Sequence, residues 1–521
     1  MRFFPAIPCL FLLSLLSARA QDFDLVVRHG LIIDGTGRPA YPGDVAVRDG
    51  RIAAIGQFTG AGRTEIDAAG RIIAPGFIDV HTHSEDIEDI PGAENFLRMG
   101  VTTIVTGNCG TSRLDVGAFF RELSHSPVAV NVATLIGHNT VRFQVMGGSF
   151  MRPPTEAEIQ QMRRLVDQAM KDGAVGLSTG LIYLPGTFAK TEELIELAKV
   201  AAAHGGIYTS HMRYENYRIR EALAEVIRIA REAHIPAEVS HIKLSGPNAW
   251  GQAADILAYL DQARADGISL TQDLYAYTAS STSLGTPIPA EAREGGPARF
   301  RQRLADPAAK ARMVEEMKAT LSRSQRTDFT YAVIASCKAD PRLNGKTVPQ
   351  AARLLRGADT LDDQVETILD IEARGGASAV FHGMSEPDLQ KFLVHPLTMI
   401  ASDSGPRKFG EDVPHPRGYG NNARILGRYV RELHLLTLEE AVRKMTSLPA
   451  RTFHLPGRGE LQPGFVADLV VFDPATVSDP STYDDPHHYA LGFSDVLVNG
   501  VPVIRTGVVT GARPGRPVTL K

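Results

Sequence analysis

The sequence predicts an α/β fold: a (β/α)8 TIM-type barrel, a small β-sandwich built from both chain termini, and an insertion between barrel strands 7 and 8. Three observations predict it. Short apolar runs alternate with helix-like stretches through the middle of the chain. Run after run ends in a residue that ligates metals or carries protons. The two ends of the chain carry similar short β segments around Gly turns.

Residues 1–20 read as a secretory signal peptide. Arg2 precedes an apolar stretch from Phe3 to Leu16, and Ser17-Ala18-Arg19-Ala20 offers a small-residue cleavage site. Export to the periplasm or the medium is therefore expected. No later stretch approaches about 18 apolar residues, so no membrane span is expected in the mature chain. Segment 21–75 alternates apolar and polar residues in DLVVRHG and DVAVRDGRIAAIG. Segment 451–521 repeats the pattern in ADLVVFDP and DVLVNGVPVIRTG. Neither can bury a core alone, so the economical reading joins them into one small β domain around a barrel spanning 76–450.

Barrel strands are expected to end near His83, Thr106, Gly137, Thr179, His211, His241, Tyr277 and Asp403. The first seven are 23 to 42 residues apart, as strand-helix units require. EAEIQQMRRLVDQAMKDG (156–173) and EELIELAKVAAAHGG (192–206) are expected helices between them. The last step, Tyr277 to Asp403, is 126 residues long. An insertion at about 285–380, with its own strand FTYAVIAS, accounts for the excess, and its position at the barrel rim suits a lid.

Composition narrows the function. With 43% hydrophobic and 22% charged residues and a formal net charge of -4, the chain is globular and offers no basic stripe for nucleic acid. Oligomeric state is not legible. Three cysteines occur, one of them in the leader. Cys109, in GNCG, is expected reduced because it stands among ligand-type strand ends.

The strand-end residues make a constellation. His81 and His83 are two apart on one strand and share a face. Cys109 ends the second strand, His211 the fifth and His241 the sixth. Imidazoles and a thiolate suit Zn2+. Asp403 ends the last strand, where a carboxylate can accept and return a proton. Arg417, in HPRGYG, can grip a carboxylate bidentately. Lys243 shares a strand side with His241. Tyr275 or Tyr277 can add a phenolic hydrogen bond, and His138, in IGHN, can polarise a carbonyl or serve a structural role.

The stretches APGFIDVHTH, TGNCG, GLSTGLIYLPG, SHMR, SHIK, MSEPDL, IASDSG and HPRGYG together resemble the amidohydrolase superfamily, and within it the D-aminoacylase (N-acyl-D-amino-acid deacylase) family. The resemblance covers about 75 to 420. It implies one tight zinc site on Cys109, His211 and His241, with a weaker second site on His81 and His83 sharing Cys109. It implies Asp403 as the acid/base, and a small-molecule substrate with a free carboxylate. Many other superfamily members bridge two metals with a lysine on the fourth strand; GLSTG has none, which supports the cysteine variant. Two departures concern the periphery: Ser84-Glu85 follows the histidine pair, and Tyr214-Glu215-Asn216 follows SHMR. The expected function is zinc-dependent hydrolysis of N-acyl-D-amino acids. Dipeptidase or cyclic-amide hydrolase activity on the same scaffold is one alternative, and a non-catalytic metal-binding protein is another.

Overall fold

The structure is a computed structural model and describes residues 22–520. The expected signal peptide lies outside the described residues. Among them, no helix is long and apolar enough to cross a membrane.

Both ends of the chain meet in one nine-stranded sheet. Its hub is the strand Phe23–Ile32. On one side that strand pairs antiparallel with Tyr41–Arg48. On the other it pairs in parallel first with Gly62–Asp67 and then with Ile72–Pro75. Ile72–Pro75 hands the sheet to the C-terminal strands Leu469–Phe472, Phe493–Val498 and Val501–Arg505. Leu25, Val27, Val45 and Ile66 from one wing share a buried cluster with Ile73, Leu469, Val471 and Leu497 from the other. The period-2 alternation seen in the sequence is thus the alternation of faces on these strands.

The middle of the chain forms a ring of parallel strands. Phe77–Asp79, Val101–Thr106 and Asn131–Thr134 pair in order. The third strand resumes at Ile136–Gly137 and pairs with Gly176–Gly180. Pairing then runs through Ile207–His211, Ala237–Val239, Leu270–Leu274 and Thr398–Ile400. Two bonds return the last strand to the first: Asp403 N–H donates to the His81 carbonyl and His83 N–H to the Ser404 carbonyl, both at 2.9 Å. Helices lie between the strands for local reasons. Glu156–Lys171 starts at a reciprocal Thr155/Glu158 cap and buries Met162, Val166 and Met170.

Two boundaries differ from the sequence expectation. The seventh strand stops at Leu274 rather than near Tyr277, because Ala276 N–H turns away to the Asn421 side chain at 2.9 Å. The insertion begins and ends a few residues wider than 285–380. Ala279–Ser283 and Ser378–His382 pair along their whole length, and Ala332–Ser336 joins them in an antiparallel sheet. The polar run ASSTS hid the first of these strands. Phe300, Met317, Leu321, Phe329, Val348, Val365 and Ile368 give the insertion a core of its own.

Candidate metal centre

The donors converge on Cys109. Its Sγ lies 3.3 Å from His81 Nε2, 3.6 Å from His211 Nδ1 and 3.7 Å from His241 Nε2. Three donor sets each lie within 4.8 Å: His81, His83 and Cys109; Cys109, His211 and His241; His81, His241 and Asp403. Asp403 Oδ1 stands 3.2 Å from His83 Nε2 and 3.6 Å from His81 Nε2.

The backbone places these groups at a cost. Cys109, His241 and Asp403 adopt the left-handed conformation, with φ of 52°, 36° and 49°, a region rare for residues with a Cβ. The Cys109 loop is threaded between strands that offer no side chain: a Cβ on Gly180 would lie 2.0 Å from the Cys109 carbonyl oxygen, and one on Gly137 would lie 2.2 Å from that of Gly110. Glu85 braces the same loop, accepting from Thr106 Oγ1 and Gly107 N–H at 2.8 Å each. This is what the acidic residue after the histidine pair does here.

A second ring of groups orients the donors. Asp273 accepts from the His241 backbone N–H at 2.9 Å and lies 3.1 Å from His81 Nδ1, which leaves His81 Nε2 facing the sulfur. Glu215 lies 3.0 Å from His241 Nδ1 and 2.5 Å from Lys243 Nζ. Arg417 Nη1 lies 2.8 Å from Asp403 Oδ2. A buried carboxylate without a partner costs several kcal/mol, so Arg417 is what lets Asp403 stay ionised beneath the surface.

The charges follow from these contacts. Burial alone would raise Asp403, but Arg417, His81 and His83 outweigh it and hold the carboxyl well below its usual range. Burial likewise opposes ionisation of Cys109, yet His81, His211 and His241 hold the thiol well below its ordinary value. His83 is pushed up to about 10: burial opposes its charge, while the bonds to Asp403 and Cys109 prevail. His211 is lowered by burial, which Glu215 only partly offsets. Its Nε2 is buried and makes no hydrogen bond.

The donor set fits a soft divalent ion. A thiolate, imidazoles, outer carboxylates that orient the His81 and His241 rings and a carboxylate at the edge are the chemistry zinc takes. Cys109 and Cys337 are free thiols, so no disulfide competes for the sulfur.

A cavity of about 270 Å³ opens beside the cluster, and His211, His241, Lys243 and Asp403 line it. Among the remaining expected residues, Tyr275 is buried, with Arg417 stacked 4.5 Å from its ring centre and Lys243 5.9 Å away. Tyr277 points elsewhere, its hydroxyl donating to Asp479 at 2.7 Å. His138 is fully buried, with Nε2 2.9 Å from Glu193. Of the five expected substrate-binding residues only Lys243 lines the cavity; Arg417, Tyr275, Tyr277 and His138 do not. The sequence reading passed over Tyr183, whose ring packs 4.8 Å from His211 and whose hydroxyl accepts from Thr282 at 2.9 Å. It passed over Asp273 too. A carboxylate inside the run LTQDL was the available signal, since a buried strand tolerates one only with partners.

Comparison with known proteins agrees with this geometry. The profile described as Amidohydrolase family matches residues 64–504.

The chain belongs to the amidohydrolase family.

It is an enzyme of that family by its length-wide likeness. It is 38% identical to D-aminoacylase of Alcaligenes xylosoxydans xylosoxydans, over 95% of this chain and 98% of that one. It is similar to the crystal structure of N-acyl-D-glutamate deacylase from Bordetella bronchiseptica complexed with zinc and a phosphonate mimic of the tetrahedral intermediate. The TM-score is 0.81 and the identity 36%, covering 95% of this chain and 99% of that one. It is equally similar, at TM-score 0.81 and 36% identity over 95% and 100%, to a D-aminoacylase structure concerned with a binuclear metal centre, one-metal activation and second-metal attenuation.

Proposed function

We propose that this amidohydrolase cleaves the amide of N-acyl-D-amino acids, releasing a carboxylate and a D-amino acid. The observation that carries the reading is the convergence of three imidazoles and Asp403 on Cys109 at the edge of one cavity. Cys109, His211 and His241 would hold one Zn2+; His81 and His83, with Cys109, offer a second and weaker site. A bound zinc supplies carbonyl polarisation and lowers the pKa of a bound water towards about 7.

The rest of the reaction falls to side chains. Asp403 is ionised and buried, with Oδ2 held by Arg417 and Oδ1 facing the imidazoles. Oδ1 accepts a proton from the attacking water as the new C–O bond forms. The same proton passes to the amide nitrogen as the C–N bond breaks. Lys243 and Arg417 supply positive charge for the substrate carboxylate, Lys243 from the cavity wall and Arg417 from behind Asp403. Both cations stand over the Tyr275 ring, Arg417 at 4.5 Å and Lys243 at 5.9 Å from its centre.

The eight-strand ring is read as a (β/α)8 barrel at 76–450. The sheet from 21–75 and 451–521 is read as one small β domain. We place the mature enzyme outside the cytoplasm, on the composition of residues 1–20.

The experiment is a hydrolysis screen of zinc-loaded protein against N-acetyl-D-amino acids, their L enantiomers, D-dipeptides and five-membered cyclic amides. D substrates are expected to exceed L by about a hundredfold if the wrong hand forfeits two charge-assisted bonds, each worth roughly 1.5–3 kcal/mol. Equal rates on both hands, or turnover confined to dipeptides or cyclic amides, would overturn the assignment. Zinc binding with no turnover of any substrate would favour a non-catalytic protein.

A further inference from the structure

Three lysine or arginine side chains line the cavity: Arg213, Lys243 and Arg326. Two are spoken for. Glu225 accepts from Arg213 Nε and Nη2 at 3.0 Å each, and Glu215 lies 2.5 Å from Lys243 Nζ. The two acidic lining residues are matched as well, Glu215 by Lys243 and Asp403 by Arg417. Arg326 differs. Among the described residues no carboxylate pairs with it, and its one hydrogen bond runs from Nη2 to the His382 carbonyl at 3.2 Å.

This guanidinium is nevertheless held in place. It lies over the Tyr331 ring, 3.8 Å from the centre. The insertion that carries it is anchored to the barrel loop beyond Lys243. Gly246 N–H and Trp250 Nε1 donate to the Gly383 carbonyl at 2.8 and 2.9 Å. Thr320 and Ser324 add hydroxyls to the same stretch of wall. A stacked arginine with free donors is preorganised for a planar anion, and it loses little side-chain freedom on binding one.

We propose that Arg326 grips a second anionic group of the substrate, away from the scissile amide, so that the enzyme favours N-acyl amino acids carrying two negative charges. This rests on the deacylase reading above. The second carboxylate comes either from an acidic amino-acid side chain or from a dicarboxylic acyl group.

The test compares zinc-loaded wild type, Arg326→Gln and Arg326→Lys on N-acetyl-D-glutamate, N-succinyl-D-leucine and N-acetyl-D-leucine. The readout is the ratio of kcat/KM for each dianionic substrate to that for N-acetyl-D-leucine within each protein. Loss of one charge-assisted contact should lower the ratio about ten- to a hundredfold in Arg326→Gln, with partial recovery in Arg326→Lys. The substrate whose ratio falls identifies the source of the charge. Ratios that stay constant across the three proteins would overturn the role of Arg326 and leave deacylation standing. Calorimetric binding of the same two dianions gives a readout without turnover. Weaker binding to Arg326→Gln, with no hydrolysis by wild type, would keep the anion site and sink the deacylase reading. Binding indifferent to both substitutions would overturn the site.

Discussion

The two ends of the cavity are built by opposite rules. At the inner end, barrel strand ends, the loops that follow them and the helix Arg417–Arg424 supply the groups, and each charge has a partner within about one hydrogen bond: Asp403 with Arg417, Glu215 with Lys243, His81 with Asp273. At the outer end the insertion supplies Thr320, Ser324, Arg326 and Tyr331, and one cation stands uncompensated. The difference separates two tasks. Compensated, buried charge fixes geometry and protonation for bond breaking. Uncompensated charge on a separately cored insertion is free to select what enters.

The largest way to break that contrast is at the sulfur. Cys109→Ala removes the atom all three imidazoles face. Metal affinity should fall more than about a hundredfold, since even an outer partner of a ligand is worth roughly 10- to 100-fold, and hydrolysis should fall with it. A variant that purifies with full zinc and full activity would put the metal elsewhere. Next comes Asp403→Asn, which should retain the tightly held zinc. Its kcat should drop by about 10² to 10⁴, the usual worth of a positioned acid/base. Rates within a few-fold of wild type would remove Asp403 from proton transfer.

The smallest effect is in stability, and its sign is fixed by the charges. In metal-free protein Asp403 is held below 3.8, so its contribution exists above that value and disappears as pH falls through its folded pKa. His81 and His83 are held above 6.5, so theirs is complete below that value and is lost as pH rises through their folded pKa values. The network should therefore stabilise most between about pH 4 and 6.5. The melting-temperature gap between metal-free wild type and Asp403→Asn should peak there at a few degrees. A gap that stays flat from acid to alkaline pH would show that the inner end is not held by charge.

The inner end was far more legible than the outer. A ligand-type residue closing an apolar run is a local signal, and five such runs gave His81, His83, Cys109, His211, His241 and Asp403. The likeness of the two chain ends was legible for the same reason, as period-2 patterning survives in DLVVRHG and ADLVVFDP. Other features were hidden by distance. Asp273 touches His81 across 192 positions, and Tyr183 reaches Thr282 across 99. HPRGYG shows the Arg417 cation and not its partner, Asp403. Tyr275 and Tyr277 could not be told apart because the turn at Ala276 is set by Asn421, 145 positions away. Arg326, in a polar stretch of the insertion, had no periodic setting to single it out.

The left-handed backbone at Cys109, His241 and Asp403 also acts as a filter on the ancestry of this centre. Mutation tries side chains one at a time, but only those at ease with positive φ keep the loop in place. Glycine, asparagine, aspartate and histidine pass; valine, isoleucine and threonine carry a steric penalty before any chemistry is judged. Two of the side chains that pass, aspartate and histidine, are themselves metal ligands. A lineage drifting here therefore has exchanges open to it that keep both the loop and a coordinating group in place.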